Sequence, residues 1–242
     1  MKLCIFLFIL IAVSVSGFSQ DGQPKMRAGF LQMVNLVSLK TPSFIEVAGL
    51  SMAGGEPVPT GESSGVVALI PNIYRFSVAN ESAKPRSRGG SVTVENGKNV
   101  IIVFFDEEKE YRDGSKETKL RFTIFRELGG NPGAKLSLVS LSNRESLKIT
   151  AGLKRLTLAG RRSQVIEVEL EDEVDIQFEG ESLGEIEIDK PIHYIGFLFD
   201  NPETGEPEMS VIQEQRLTYQ APIDDGVNKT KKEEDDPDQE VE

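Results

Sequence analysis

Residues 91–105 read SVTVENGKNVIIVFF, and the fold assignment starts from this stretch. Ser91 to Glu95 alternates polar and apolar side chains, which is typical of a strand with one buried face. Asn96-Gly97 is a tight-turn dipeptide of the kind that joins two antiparallel strands. Val100 to Phe105 is apolar at every position, which suits a central strand. The stretch therefore predicts two β-strands joined by a turn.

Similar short runs, separated by Gly, Pro, Asn and Asp, occupy most of the chain between residues 30 and 215. Strands of this length and spacing predict an all-β sandwich or barrel. The long segment Met52 to Ser64 has no periodicity and is expected to be a loop. The other predicted strands are 30–36, 43–47, 65–70, 74–78, 120–124, 135–141, 146–150, 155–158, 164–170, 174–178, 185–188, 193–199 and 209–215.

The two halves of the chain resemble each other around the breaker-rich stretch Gly129-Gly130-Asn131-Pro132-Gly133. Three segments recur in the same order, which favours two copies of one domain over a single larger sandwich. The predicted fold is two immunoglobulin-like β-sandwich domains in tandem, over residues 28–128 and 134–220. The paired segments are Leu31–Leu36 with Leu136–Leu141, Tyr74/Phe76/Val78 with Val174/Ile176/Phe178, and Ile101–Asp106 with Ile195–Asp200.

The N-terminus has the layout of a secretory signal peptide over residues 1–19. Lys2 precedes an almost wholly apolar run from Leu3 to Val15, and small residues then flank a cleavage point after Ser19. A membrane anchor is the alternative, but spanning a bilayer takes about 20 apolar residues. We therefore expect an exported protein, periplasmic or extracellular, with no transmembrane span after cleavage. The single cysteine, Cys4, would leave with the signal peptide.

The chain carries 39 acidic and 27 basic residues, for a net charge of −12. An acidic protein repels phosphate backbones, so nucleic acid is not an expected partner. Residues 221–242 form an acidic tail that lacks an apolar pattern and is predicted to be disordered. Its expected role is solubility, and docking to a basic partner is the alternative. One Cys, one His and no Trp argue against thiol catalysis, haem attachment and multi-His or Cys-based metal sites.

The candidate chemical groups are few, and each has a structural explanation. His193 is expected on the face of Ile195, Phe197 and Phe199, packed inward or at an edge, and no Gly-x-Ser-x-Gly elbow accompanies it. Lys84, Arg86 and Arg88 form a small basic loop that could meet an anionic partner. We therefore predict no catalytic, cofactor-binding or metal-binding residues.

Acidic side chains form three clusters. Glu167, Glu169, Glu171 and Glu173 alternate with apolar residues, which predicts one acidic face of a single strand, either solvated or open to a hard cation or a basic surface. Asp106-Glu107-Glu108 and Asp200-Asn201-Pro202-Glu203 are expected at matching strand ends. Neither has the spacing of a strong calcium loop, so turn chemistry is the simpler interpretation.

Residues 28–106 carry three motifs that invite comparison with a known group. The first is the opening strand Phe30–Leu36, the second the turn Ile70-Pro71-Asn72 leading into a strand at Tyr74, and the third Asn96–Asn99 before the apolar strand. On these motifs the segment resembles exported β-sandwich domains of the type that includes the periplasmic accessory protein of alginate O-acetylation. The resemblance implies a non-catalytic adaptor or surface-binding module and carries over no catalytic residue.

The sequence therefore predicts a non-catalytic exported binding or adaptor protein of the bacterial cell envelope, linked to polysaccharide modification or export. Its expected partner is an envelope protein or polysaccharide, bound through loops such as 52–64 and 79–90 or through exposed edge strands. No cofactor is expected. Two alternatives stay open: a carboxylate-based extracellular glycan hydrolase, with two close acids in a deep cleft, and a structural surface or matrix protein.

Overall fold

The computed structural model of the protein describes residues 28–126 and 133–213. All regular secondary structure in these two ranges is β-strand, which confirms the all-β prediction. Neither range contains a helix long and apolar enough to cross a membrane. The predicted signal peptide (1–19), the acidic tail (221–242) and residues 127–132 and 214–220 of the predicted domains lie outside the described residues.

Each half of the described chain contains eight strands. The first eight are β1 (Gly29–Leu36), β2 (Ser43–Val47), β3 (Leu50–Ser51), β4 (Ser63–Leu69), β5 (Asn72–Asn80), β6 (Ser87–Val94), β7 (Asn99–Glu110) and β8 (Lys116–Arg126). The second eight are β9 (Lys135–Ser140), β10 (Ser146–Ala151), β11 (Lys154–Ala159), β12 (Ser163–Glu167), β13 (Glu173–Phe178), β14 (Glu181–Glu187), β15 (His193–Asp200) and β16 (Pro207–Gln213).

The strands form four four-stranded sheets in two pairs, one pair for each half. Sheets I and II have the orders β4-β1-β7-β8 and β3-β2-β5-β6. Sheets III and IV have the orders β12-β9-β15-β16 and β11-β10-β13-β14, so each strand of the second half has the place of its counterpart in the first. In both halves the first strand pairs in parallel with the seventh, and every other pairing is antiparallel. We call the two pairs the first and second sandwich.

Each sandwich has its own apolar core between its two sheets. Met33, Phe76 and Phe104 are among the buried residues of the first core, and Leu138 and Tyr194 of the second. Alternation along the strands produces these cores because successive side chains of a strand point to opposite faces of its sheet. A fully buried large apolar side chain contributes about 1.5–3 kcal/mol, so both cores stabilise their own sandwich.

A third apolar layer joins the sandwiches, because sheets I and III pack face to face. On β7, Ile102 and Phe104 enter the first core, whereas Val103 and Phe105 point into this junction layer. Burial on both faces explains why Val100 to Phe105 is apolar at every position. The layer consists of Val34, Leu36, Ile101, Val103, Phe105, Val139, Leu141, Ile195, Phe197, Phe199 and Ile212, with Phe125 packed against it.

Two local predictions are wrong. The run Glu167–Glu173 is not one strand, because β12 ends at Glu167 and β13 begins only at Glu173. A turn separates them: Glu171 has a φ of 69°, and the backbone N–H of Glu169 donates to Oδ2 of Asp172 at 2.7 Å. The stretch Asp106-Glu107-Glu108 is not a strand end, because β7 continues to Glu110. Its counterpart Asp200 does end β15.

Candidate binding cleft between the two sandwiches

Asp106 and Asp200 lie just beyond the last parallel pairs of β7 with β1 and of β15 with β9, at the same end of the junction layer. The Asp106 carboxylate accepts the backbone N–H of Ser38 at 2.5 Å, just after β1. The Asp200 carboxylate accepts the Ser142 hydroxyl at 2.6 Å, just after β9. Each aspartate therefore holds the segment that leaves its parallel neighbour, and the arrangement is the same in both sandwiches.

Asn143 connects these two aspartates across the junction. Its backbone N–H donates to Asp200 Oδ2 at 2.9 Å, and its side-chain Nδ2 donates to Asp106 Oδ2 at 3.0 Å. Its Oδ1 accepts the backbone N–H of Glu108 at 2.9 Å. Asn143 thus belongs to the second sandwich but stabilises a buried carboxylate of the first. No motif in the sequence indicates this role.

Asp106 is the described carboxyl group whose environment is least like water. Only 5% of the residue is exposed, and burial raises the pKa of Asp106 because it disfavours the charged form. The hydrogen bonds from Ser38 and Asn143 offset part of this rise in pKa, and the nearby charge of Asp200 adds to it. Enclosed by these donors, the group helps to hold the junction together, and it does not line the cleft described below.

Ion pairs and hydrogen bonds around the rim tie the sandwiches further. Glu107 of the first sandwich contacts Arg161 of the second at 2.6 Å and Arg121 at 2.5 Å. Partial burial works to raise the pKa of Glu107, but the bonds from both arginines outweigh it and hold that pKa below its usual value. The Ser210 hydroxyl donates to the Gly61 carbonyl at 2.7 Å. These contacts and the junction layer fix the relative position of the two sandwiches.

A cleft of about 330 Å³ opens beside this junction, and both sandwiches line it. That volume lies within the range of about 300–1,000 Å³ that is usual for small-ligand sites. The first sandwich supplies the segment that leads into β2 and the segment before β4, and the second supplies the turn after β15 and one residue of β16. The lining residues are Leu39, Lys40, Thr41, Pro42, Ser43, Pro57, Val58, Pro59, Thr60, Asn201, Pro202, Glu203 and Glu208.

The walls of the cleft are held from behind by buried polar groups. The Asn35 side chain donates to the Val58 carbonyl at 2.7 Å, which fixes the segment before β4. The Asn80 side chain donates to the Thr41 carbonyl at 2.7 Å and accepts the Thr41 hydroxyl at 2.6 Å. Both asparagines are almost fully buried. The cleft is therefore preformed.

Of the acidic clusters singled out in the sequence, one reaches the cleft. Asn201, Pro202 and Glu203 line it, and Glu203 pairs with Lys40 of the first sandwich at 3.7 Å. Sequence reasoning missed the residues that face them, Lys40 and the prolines around Val58. The only signal in the sequence was the prediction that residues 52–64 form a loop. That prediction did not indicate that the loop lies beside residues of the second sandwich.

His193 lies at the opposite end of the junction layer from Asp200. Its Nε2 is 2.7 Å from the Ser137 hydroxyl oxygen, and Ser137 is 5% exposed. Ser137 sits within β9, between Val165 of β12 and Ile195 of β15, so ladder pairing occupies its backbone on both sides. A serine nucleophile needs an accessible hydroxyl and free N–H donors for the oxyanion, and a buried central strand position provides neither. The contact is therefore structural.

The outer face of sheet IV carries the densest acidic surface. Glu173 pairs opposite Glu187, and Asp175 opposite Glu185, on neighbouring strands. A hydrogen bond with Glu173 raises the pKa of Glu185, and the negative charge of Glu173 adds to the rise. Within residues 28–126 and 133–213, no group of three or more His, Cys, Asp or Glu side chains is arranged to hold a metal ion.

The predicted basic loop is only partly a loop. Lys84 and Arg86 lie between β5 and β6 on the first sandwich, outside the cleft, whereas Arg88 belongs to β6. Lys84 donates its backbone N–H to the Thr118 carbonyl at 2.9 Å, so the loop packs beside β8. Lys84, Arg86 and Arg88 are exposed. The structure does not bring these three residues together with the acidic residues of the cleft.

A scan against protein-family models found no match for the chain, and a search of the curated proteins found none either. The functional assignment therefore depends on the geometry of the cleft and its surroundings.

Proposed function

We propose that the protein is a non-catalytic exported binding protein of the bacterial cell envelope, which acts as an adaptor in polysaccharide modification or export. In this proposal residues 1–19 are a cleaved signal peptide, and the two sandwiches are of the immunoglobulin-like type. The observation that carries the proposal is the cleft of about 330 Å³, lined by loops of two sandwiches that the junction holds rigidly together. Ligand sites are common at such interfaces between domains.

The chemistry around the cleft favours binding over hydrolysis. A glycosidase pairs two carboxyl groups, one of them a proton donor with a raised pKa. The two described carboxyl groups with raised pKa values, Asp106 and Glu185, do not line the cleft. The carboxylates that do line it already have partners, Lys40 for Glu203 and the Asn201 amide for Glu208. Both features support the adaptor over the glycan hydrolase.

The test is affinity capture from a cell-envelope extract with a matched set of variants. The immobilised protein is compared with Pro59→Arg, which places a long side chain in the cleft, and with Pro71→Arg, the same change in the turn between β4 and β5. We expect wild type and Pro71→Arg to retain the same envelope component and Pro59→Arg to lose it. Equal capture by all three proteins would refute the cleft as the binding site. Release of reducing ends from the extract would support the hydrolase instead.

A further inference from the structure

The walls of the cleft are unusual in offering few hydrogen-bond donors. Four prolines line it, and a proline has no backbone N–H. The half-buried Leu39 adds apolar surface beside them. A sugar presents hydroxyl groups that must exchange water for protein donors and acceptors, whereas an apolar side chain needs only contact surface. The prolines are Pro42, Pro57, Pro59 and Pro202.

Three polar side chains that line the cleft already donate hydrogen bonds within the protein. The Thr60 hydroxyl donates to the Val37 carbonyl at 2.8 Å, and the Thr41 hydroxyl donates to Asn80. The Asn201 amide donates to Glu208 at 2.5 Å, and its oxygen accepts the backbone N–H of Glu203 at 2.7 Å. A glycan hydroxyl would therefore find these donor hydrogens already engaged. An apolar side chain would leave them intact.

The charges at the rim favour a basic ligand. Lys40 and Glu203 are 3.7 Å apart with side chains 69% and 70% exposed, so they form a weak pair that a ligand can replace. Glu208 adds a second carboxylate to the lining, and the Asn201 amide contacts one of its two oxygens, Oε1. Residues 133–213 carry 16 acidic and 8 basic side chains, against 11 and 12 in residues 28–126. This field repels a uronic acid polymer and attracts lysine or arginine.

We infer that the cleft binds an extended peptide segment of a partner protein, with an apolar side chain between the proline walls and a basic side chain against Glu203 and Glu208. This rests on the proposed function, because it assigns the ligand class of the same cleft. It selects the envelope protein over the polysaccharide as the molecule held there. The preformed walls favour it further, since little of the cleft must be ordered on binding.

The absence of tryptophan from the chain allows a direct test by fluorescence. The probe is the blocked peptide acetyl-Gly-Arg-Trp-Pro-Arg-Gly-amide, and the matched probe has Glu in place of both Arg. We expect a blue shift of the tryptophan emission with the Arg peptide and a much weaker response with the Glu peptide. Glu203→Lys should raise the Kd about threefold or more, whereas Glu95→Lys, in the turn between β6 and β7 and outside the cleft lining, should not change it. Raising the salt concentration should weaken binding.

Pro59→Arg supplies the second criterion, and it should abolish the blue shift while Pro71→Arg retains it. The inference would be overturned if the Arg peptide still binds Pro59→Arg, or if its Kd is the same for Glu203→Lys as for wild type. Uronic acid and neutral tetrasaccharides are titrated by calorimetry against the same proteins. A third outcome is that the peptide does not bind, whereas a tetrasaccharide binds the wild type and does not bind Pro59→Arg. In that case the inferred ligand class is wrong, but the cleft is still the binding site. If neither binds, the inference fails, and the capture experiment alone judges the proposed function.

Discussion

Replacing Asn143 with alanine tests how the two sandwiches are joined. The substitution removes the Nδ2 donor that lies 3.0 Å from Oδ2 of Asp106, whereas the backbone bond from residue 143 to Asp200 is retained. It also removes the acceptor for the Glu108 N–H, which is exposed and can bind water instead. The main loss is therefore one hydrogen bond to a buried carboxylate.

The size of the loss follows from the burial of Asp106. Hydrogen bonds to charged groups contribute about 1.5–3 kcal/mol. Because Asn143 itself is exposed and water can replace part of its amide, we expect the lower half of that range, about 1.5–2 kcal/mol at neutral pH. Removing the donor also raises the pKa of Asp106 further, since a bond that favours the charged form is lost.

The expected effect depends on pH, with a sign set by this pKa. The pKa of folded Asp106 is raised above its ordinary value of 3.8, so between that value and the folded pKa the folded protein binds more protons than the unfolded chain. The group's contribution to stability is complete below that value and is lost as the pH rises through the folded pKa. In the variant the pKa of folded Asp106 is higher still, so this pH range extends further upward. The difference between wild type and Asn143→Ala should therefore be smaller at about pH 3.5 than at about pH 8.

Urea unfolding followed by far-UV circular dichroism, at both pH values, measures this difference. Ser182→Ala is the matched control, because it removes a hydroxyl donor 2.6 Å from Asp175, whose carboxylate is exposed. A destabilisation by Asn143→Ala that is equal at low and high pH would refute the role of this amide in stabilising ionised Asp106. A pH-dependent loss of similar size in Ser182→Ala would show that burial is not the cause.

Two further pairs of variants test the cleft and the junction. Gly61 has a φ of 87°, and a Cβ there would lie 3.1 Å from Cζ of the buried Phe199, whereas Gly97 has a φ of 69° and open space around it. Gly61→Ala should therefore lower the unfolding free energy by about 1 kcal/mol more than Gly97→Ala, and equal losses by urea unfolding would contradict the contact. Ser140 has a buried hydroxyl without a hydrogen-bond partner among the described residues, so Ser140→Ala should be neutral or stabilising by up to about 1 kcal/mol. Asn35→Ala should lower the unfolding free energy by about 2 kcal/mol because it leaves the buried Val58 carbonyl unsatisfied. A lower thermal midpoint for Ser140→Ala than for Asn35→Ala would refute these two roles.

The sequence was sufficient for the strands but not for what covers them. The continuous apolar run Val100–Phe105 predicts a strand buried on both faces, and β7 is buried in that way. The pattern does not say what lies against the second face. Sheet III lies there, and only the pairing of distant segments such as β1 with β7 and β9 with β15 creates the two complementary surfaces.

Alternation also fails to show where a strand ends. The glutamates from Glu167 to Glu173 alternate without a glycine or a proline, yet a turn interrupts them. The turn is stabilised by tertiary contacts: the Glu171 N–H donates to the Ile188 carbonyl, and the Ile188 N–H donates to the Asp172 carbonyl, both at 2.9 Å. These bonds connect segments about 16 residues apart in sequence, so the local pattern of apolar and polar residues does not predict them.

The cleft arises from one difference between two otherwise equivalent halves. In the first sandwich, residues 52–62 connect β3 to β4, and residues 57–60 of this connection line the cleft. In the second sandwich only residues 160–162 connect β11 to β12. Asn35 and Ser140 hold the same place in the two folds, as their carbonyls accept the N–H groups of Gly61 and Arg161. The long connection needs the asparagine amide to hold Val58, and the short one does not, which explains why the Ser140 hydroxyl can go unused. The common strand order therefore produces the rigid junction, and the extra residues of a single loop produce the binding surface on it.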